Sequence, residues 1–233
     1  MNHTIELSCR RLLSFAWLLA LAMQLLFVAR ISAADALQSA VSRAKRDTPQ
    51  FGQWSQQPLS LPQDLVQLLA PLTLVELSPN VESRLRAIVA VASDEKTYRL
   101  TNDSDLTVVI DAAGLKASLA RSSEVFAQNL ATLRCFPDEG VVLKSSADIP
   151  PPQGKGGLPL KDEVAQRFKD KIKPLDARTE GGATTLTFCY CSQNPGELYQ
   201  IGAIYQMTVT VSANHPTKLQ TLFLGYAHFT GTR

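Results

Sequence analysis

Thiols give this 233-residue chain its widest chemical repertoire. Cys189 and Cys191 stand one residue apart within residues 184–211, where two runs rich in β-branched and aromatic side chains flank the turn segment Ser192-Gln193-Asn194-Pro195-Gly196. Side chains two apart on a strand share a face, so both thiols are expected to look one way and Tyr190 the other. Such a thiol can be a nucleophile, a soft-metal ligand or half of a disulfide. A nucleophile needs a base at the sulfur. The candidates are His215 and His228, because His3 lies at the extreme N-terminus; Cys189 or Cys191 with His215 would form a papain-like pair. A metal site would recruit Cys135, and the histidines add no H-x-x-x-H spacing. No G-x-S-x-G occurs. Residues 149–159, IPPPQGKGGLP, lack the G-x-x-x-x-G-K-[ST] phosphate-loop spacing. The carboxylates are scattered singly or beside basic residues and form no acid–base pair. No catalytic residue, metal or cofactor is expected.

Which use of the thiols prevails depends on compartment. Residues 1–11 end in Arg10-Arg11, and residues 12–29, LLSFAWLLALAMQLLFVA, have only Ser14 and Gln24 as polar members. Ala34-Asp35-Ala36 then matches the A-x-A cleavage pattern. Basic start, apolar core and small residues make an export signal. The core exceeds the usual length of about 7–15 residues and approaches a span, so residues 1–36 are a signal peptide or an uncleaved signal anchor. Export leaves Cys9 outside the mature domain and places Cys135, Cys189 and Cys191, an odd number, in an oxidising compartment. There Asn102-Asp103-Ser104 is an N-glycosylation acceptor in a polar turn. Arg43-Ala44-Lys45-Arg46 has the form of a basic processing site; the competing reading is a solvated helix end whose cations complement the dipole. The net charge of +2 is too small for a nucleic-acid footprint.

Positioning these residues falls to the following elements. Residues 35–46 are expected to be helical, and 48–62, rich in Gln, Ser and Pro, an extended arm anchored by Phe51 and Trp54. Asp64 caps a short helix over 65–69 that Pro71 stops. Strands are expected at 72–77, 97–100, 106–110 and 141–143, with 106–110 (LTVVI) turned by 111–114. Residues 85–92 and 124–133 fit strand or helix. Residues 161–173 form an amphipathic helix with Val164, Phe168 and Ile172 on one face, Asp162 and Glu163 near its start and Lys169, Lys171 and Lys173 near its end. Residues 37–71 read as linker and short helices, and 72–233 as a β-rich extracellular domain. Turn signals every 8–12 residues in the C-terminal half point to a mainly β fold. The expectation is an Ig-like β-sandwich with one inserted amphipathic helix, preceded by the N-terminal apolar signal or anchor helix. An α+β arrangement is the alternative, resting on 85–92 and 124–133. Residues 74–80 (LVELSPN) also echo 208–214 (TVTVSAN), each preceding a β-rich segment.

The run Leu186-Thr187-Phe188-Cys189-Tyr190-Cys191, followed by Tyr199-Gln200-Ile201-Gly202-Ala203-Ile204 and Val209-Thr210-Val211, resembles a repeated extracellular module of alveolate protists (apicomplexans, dinoflagellates, chromerids). In that module a strand ends in Cys-Tyr-Cys. Upstream it carries a strand entering a Gly-Leu turn and then a lone cysteine, an order matched by residues 106–115 and Cys135. The resemblance covers residues 97–213. It implies that Cys135 pairs with Cys189 or Cys191, closing a loop of about 54 residues worth roughly 4 kcal/mol in the chain-entropy model. The module's loop commonly holds a further cysteine, and residues 192–198 hold none, so one thiol would be free, buried or linked to a partner. The expected function is a non-catalytic secreted or membrane-anchored extracellular module with a structural, adhesive or assembly role. Its partners would be other extracellular proteins or glycans, or the membrane if the N-terminal segment is uncleaved, but not nucleic acid. The alternative is a secreted cysteine-dependent enzyme or redox protein using the spare thiol.

Overall fold

The β-branched runs of the sequence pair mostly with their chain neighbours, the strand Glu139–Leu143 with Ala183–Gln193 being the exception. In the computed structural model the residues described are 35–80, 85–150, 161–193 and 202–227. The apolar run 12–29, His3, Cys9, Ala34 and His228 lie outside them. One antiparallel sheet takes β1 (Ser55–Gln57), β2 (Thr73–Ser78), β3 (Ala87–Val91) and β4 (Thr97–Arg99) in sequence order. The other takes β5 (Glu139–Leu143), β7 (Ala183–Gln193), β8 (Ala203–Ser212) and β9 (Lys218–Tyr226) in that order, with β6 (Asp176–Glu180) also paired to β7. The framework is mainly β, two antiparallel sheets with helices packed on them. The helices are α1 over residues 35–47, α2 (Gln63–Leu68), α3 (Asp103–Ala112), α4 (Leu115–Arg121), α5 (Ser123–Cys135) and α6 (Lys161–Phe168).

Period-two alternation sorts the strand side chains between cores. Leu186, Phe188 and Tyr190 of β7, with Met207 and Val209 of β8, share one cluster with Leu106 and Ile110 of α3, Phe126 and Leu130 of α5, and Leu74 and Ile88 of the first sheet. Cys189, Cys191 and Ile204 face the other way, against Val164, Phe168 and Ile172. On the first sheet, Val75, Leu77, Val89 and Val91 meet Ala40, Val41 and Ala44 of α1. Phe51 is buried in that same cluster, its ring 4.6 Å from Trp54, so the arm contributes to a core.

Residues 106–110, expected as a strand, lie in α3. Asn102 caps this helix, its side chain accepting the Ser104 and Asp105 N–H groups, and Asp103 and Asp105 occupy the first turn. Both features stabilise a helix start. Leu106, Val109 and Ile110 then fall at i, i+3 and i+4 on one buried face, which outweighs their β propensity. This removes the strand entering a Gly-Leu turn: Gly114 instead precedes α4. Residues 124–133 resolve as α5, with Ser122 Oγ accepting the Val125 N–H at 3.3 Å. Residues 85–92 resolve as β3. The cap of α2 is Pro62 rather than Asp64, which sits in the first turn. Helix α6 ends at Phe168, five residues early, yet Ile172 continues its apolar face.

One edge of the second sheet is closed by a helix. The Thr221 and Thr217 N–H groups of the β9 segment donate to Asp103 and Asp111 of α3 at 3.2 and 3.0 Å. Eight helical residues advance about 12 Å and four strand residues about 13 Å, so the two carboxylates match two outward N–H groups.

Candidate functional site

All three described cysteines are free and buried. Cys191 pairs with Val141 and Cys189 with Leu143 on β5, and with Ile204 and Gln206 on β8. The two thiols therefore sit mid-sheet, on the α6 side, opposite Tyr190 as their spacing requires. The Cys189 Sγ lies 3.9 Å from the Lys171 carbonyl oxygen and the Cys191 Sγ 3.4 Å from that of Ser192. Cys135, at the end of α5, belongs to the other core, with Tyr190. Burial pushes the Cys191 thiol up to about 12. Burial does the same for Cys135, reinforced by Cys191 and Asp138 nearby. The Cys189 thiol is raised too, again chiefly by burial. All three shifts favour the thiol over the thiolate at neutral pH.

The staple expected between Cys135 and Cys189 or Cys191 is not formed in this structure. β7 directs Cys189 and Cys191 into one core while Cys135 lies in the other, with Cys191 near enough to raise the Cys135 thiol; a disulfide between them would bring their Cβ atoms to about 3.5–4.5 Å. Cys189 and Cys191 do not join each other, because same-face neighbours on a strand repeat at about 6.6 Å.

Nor are the thiols brought to His215. Ala183 of β7 pairs with Ser212 of β8, whereas Cys191 pairs with Ile204. His215 lies beyond the Ser212 end and is exposed. Eight residues of strand separate that end from Cys191 (191 − 183), about 26 Å, and six separate it from Cys189, about 20 Å. Among the described residues no group of three or more His, Cys, Asp or Glu side chains is placed to hold a metal ion.

Asn102 is exposed at the start of α3. Its Oδ1 accepts the Ser104 N–H at 2.9 Å and the Ser104 hydroxyl at 2.7 Å, bonds that do not use the amide nitrogen to which a glycan attaches. Arg43, Lys45 and Arg46 lie within α1. Arg43 pairs with Glu95 at 2.5 Å and Arg46 with Asp47 at 3.0 Å, and Ala44 between them is fully buried.

Two surface cavities lie on the second sheet. One, of about 390 Å³, lies where the segment after α6 meets the outer face of the second sheet; Lys173, Asp176, Arg178, Thr185, Thr187 and Gln206 line it, with Pro174 and Cys189. Another, of about 420 Å³, lies on the opposite face beside α4, with Lys116, Leu119, Thr179, Thr184 and Val211 in its wall. The first was missed in the sequence. Its only signal was the alternation Thr185-x-Thr187 and Thr208-x-Thr210, which marks a polar sheet face.

No family model matches the chain, and no curated protein or solved structure does so either. Among the described residues no helix is long and apolar enough to cross a membrane.

Proposed function

We propose that this chain is a non-catalytic extracellular module, secreted or held at the membrane by residues 12–29, with an adhesive or assembly role. One observation carries the reading. The only nucleophiles singled out by the sequence are protonated, buried in sheet cores and about 20 Å or more from His215. A cysteine-dependent enzyme needs a base at the sulfur, and His215 is about 20 Å or more from Cys191 and from Cys189, the thiol in the wall of the 390 Å³ cavity, which weighs against it. The apolar export segment supports the extracellular setting, as does the exposed acceptor at Asn102 with its amide nitrogen outside the helix-capping bonds. The resemblance to the Cys-Tyr-Cys module points the same way through β7 and β8, while its upstream part falls on a helix. For the fold we favour the α+β alternative over an immunoglobulin-type sandwich, because α3 and α5 supply much of the cluster that both sheets share.

Expression of the full chain through a eukaryotic secretory pathway tests the setting. The protein is expected in the medium or on the membrane with a glycan at Asn102, and Asn102→Gln is expected to remove that mass. A wholly cytosolic product without glycan would overturn the extracellular reading.

A further inference from the structure

The 390 Å³ cavity has the size of a small-molecule site, roughly 300–1,000 Å³, and its polar groups arise from strand register. Thr185 and Thr187 of β7 stand opposite Thr210 and Thr208 of β8, and the hydroxyls meet at 3.0 and 3.3 Å. Each pair uses one proton for its own bond, so each keeps one proton to donate and lone pairs to accept. On the other flank β6 sets Asp176 opposite Thr187 and Arg178 opposite Thr185. The Arg178 Nε donates to Asp176 at 2.8 Å, which aims the guanidinium and leaves its terminal nitrogens for a ligand. Gln206 adds an amide, and Lys173 adds a second cation beside the Pro174 ring. With Asp176 matched by Arg178, Lys173 leaves the site one positive charge in excess. Phe188 borders the cavity, but its ring is buried in the opposite core, so no aromatic platform favours a nucleobase.

We propose that this cavity binds an acidic saccharide residue: a hydroxylated ring bearing a carboxylate or a sulfate ester. Arg178 and Lys173 take the anionic group, as guanidinium and ammonium do in charge-assisted pairs. Thr185, Thr187 and Gln206 take ring hydroxyls with donors and acceptors on one face. The assignment rests on the reading of the chain as a binding module without catalysis, and names the ligand such a module would hold.

Calorimetric titration of the exported full chain tests it, with glucuronic acid, glucose 6-sulfate, glucose and inorganic sulfate as probes. At least one acidic sugar is expected to bind saturably, and the comparison of the two distinguishes carboxylate from sulfate ester. Glucose and inorganic sulfate are each expected to bind about tenfold more weakly than that sugar, the loss of one charge-assisted contact or of the hydroxyl contacts. Arg178→Gln is expected to weaken the acidic sugar about tenfold, and Thr187→Val to weaken both acidic sugar and glucose. Lys96→Gln, a charge change beside β4 of the first sheet, should leave binding unaltered. Arg178 is 81% exposed, so its replacement leaves the fold intact. No binding of either acidic sugar, equal binding in Arg178→Gln, or inorganic sulfate binding as tightly as the sugar would overturn the site. Chromatography of the recovered ligand separates the two claims: conversion of the sugar would overturn the non-catalytic reading, whereas absence of binding overturns the site alone.

Discussion

At the scale of single residues, the thiols illustrate how environment settles chemistry. Strand spacing alone correctly assigned Cys189 and Cys191 to one face and Tyr190 to the other. It was silent on Cys135, because the core that receives the end of α5 is set by long-range packing. Burial keeps all three sulfurs protonated, and this has a pH consequence. The folded pKa of Cys135 and of Cys191 is raised to about 12, against an unfolded value of about 8.5. Their contribution is therefore fully present below about pH 8.5 and is lost as pH rises toward 12, because the unfolded chain releases protons that the fold retains. Urea midpoints should be level between pH 6 and 8 and fall above pH 9. A Cys135→Ala/Cys191→Ala double variant should lose part of that alkaline fall; an unchanged fall would contradict the assignment. Asn102 shows the opposite problem of legibility. Its side chain carried a visible helix-capping signal, with Asp103 and Asp105 behind it, and the sequon drew attention away from that signal.

At the scale of elements, α3 is the clearest departure from sequence expectation. Leu-Thr-Val-Val-Ile reads as a strand by composition, and only its cap and its i, i+3, i+4 burial identify the helix. What the sequence could not display was the docking of α3 on β9, since the match between two carboxylates and two strand N–H groups exists only in three dimensions. Asp111 accepts the Thr217 N–H at 3.0 Å and pairs with Lys116 at 2.6 Å. Its burial would raise the carboxyl pKa, but the bonds from Lys116 and Thr217 outweigh that and hold it below the ordinary value. This stabilisation is present above about pH 4 and is lost as pH falls through the depressed folded value. Asp111→Ala should lower stability by about 1–3 kcal/mol at pH 7, measured by urea denaturation, and the difference from the parent should shrink toward pH 3. The contact of α5 with β5 supplies a second test. A Cβ at Gly140 would overlap the Ala131 carbonyl group, and Gln128 clamps the same strand by accepting the Val142 N–H at 3.3 Å. Gly140→Ala should force the helix from the strand and cost about 3 kcal/mol, more than Gln128→Ala. The reverse order would show that the helix can shift freely there.

At the scale of the whole molecule, the layering gives residues 35–69, expected as short helices and an extended arm, a share in two cores. Helix α1 carries its apolar stripe at Leu37, Ala40, Val41 and Ala44, but that stripe does not say which sheet it covers. Yet Ala40, Val41 and Ala44 bury Val75, Leu77, Val89 and Val91, and the basic tetrad lies within that helix. Ala44→Asp should therefore destabilise the chain by several kcal/mol, because a carboxylate would be buried without a partner. Stability near that of the parent, with α1 detached, would contradict the packing. The β-rich framework was legible from alternation in β2, β7 and β8; the helices between the sheets were not, since their apolar faces are short and their partners distant in sequence.

The non-catalytic reading depends most directly on the state of the sulfurs. Alkylation of the folded, exported chain with iodoacetamide at pH 8, without reductant, followed by peptide mapping of Cys135, Cys189 and Cys191, measures it. All three should resist labelling while folded and all three should be labelled once the chain is unfolded. Rapid labelling of any one of them in the native chain would contradict the account.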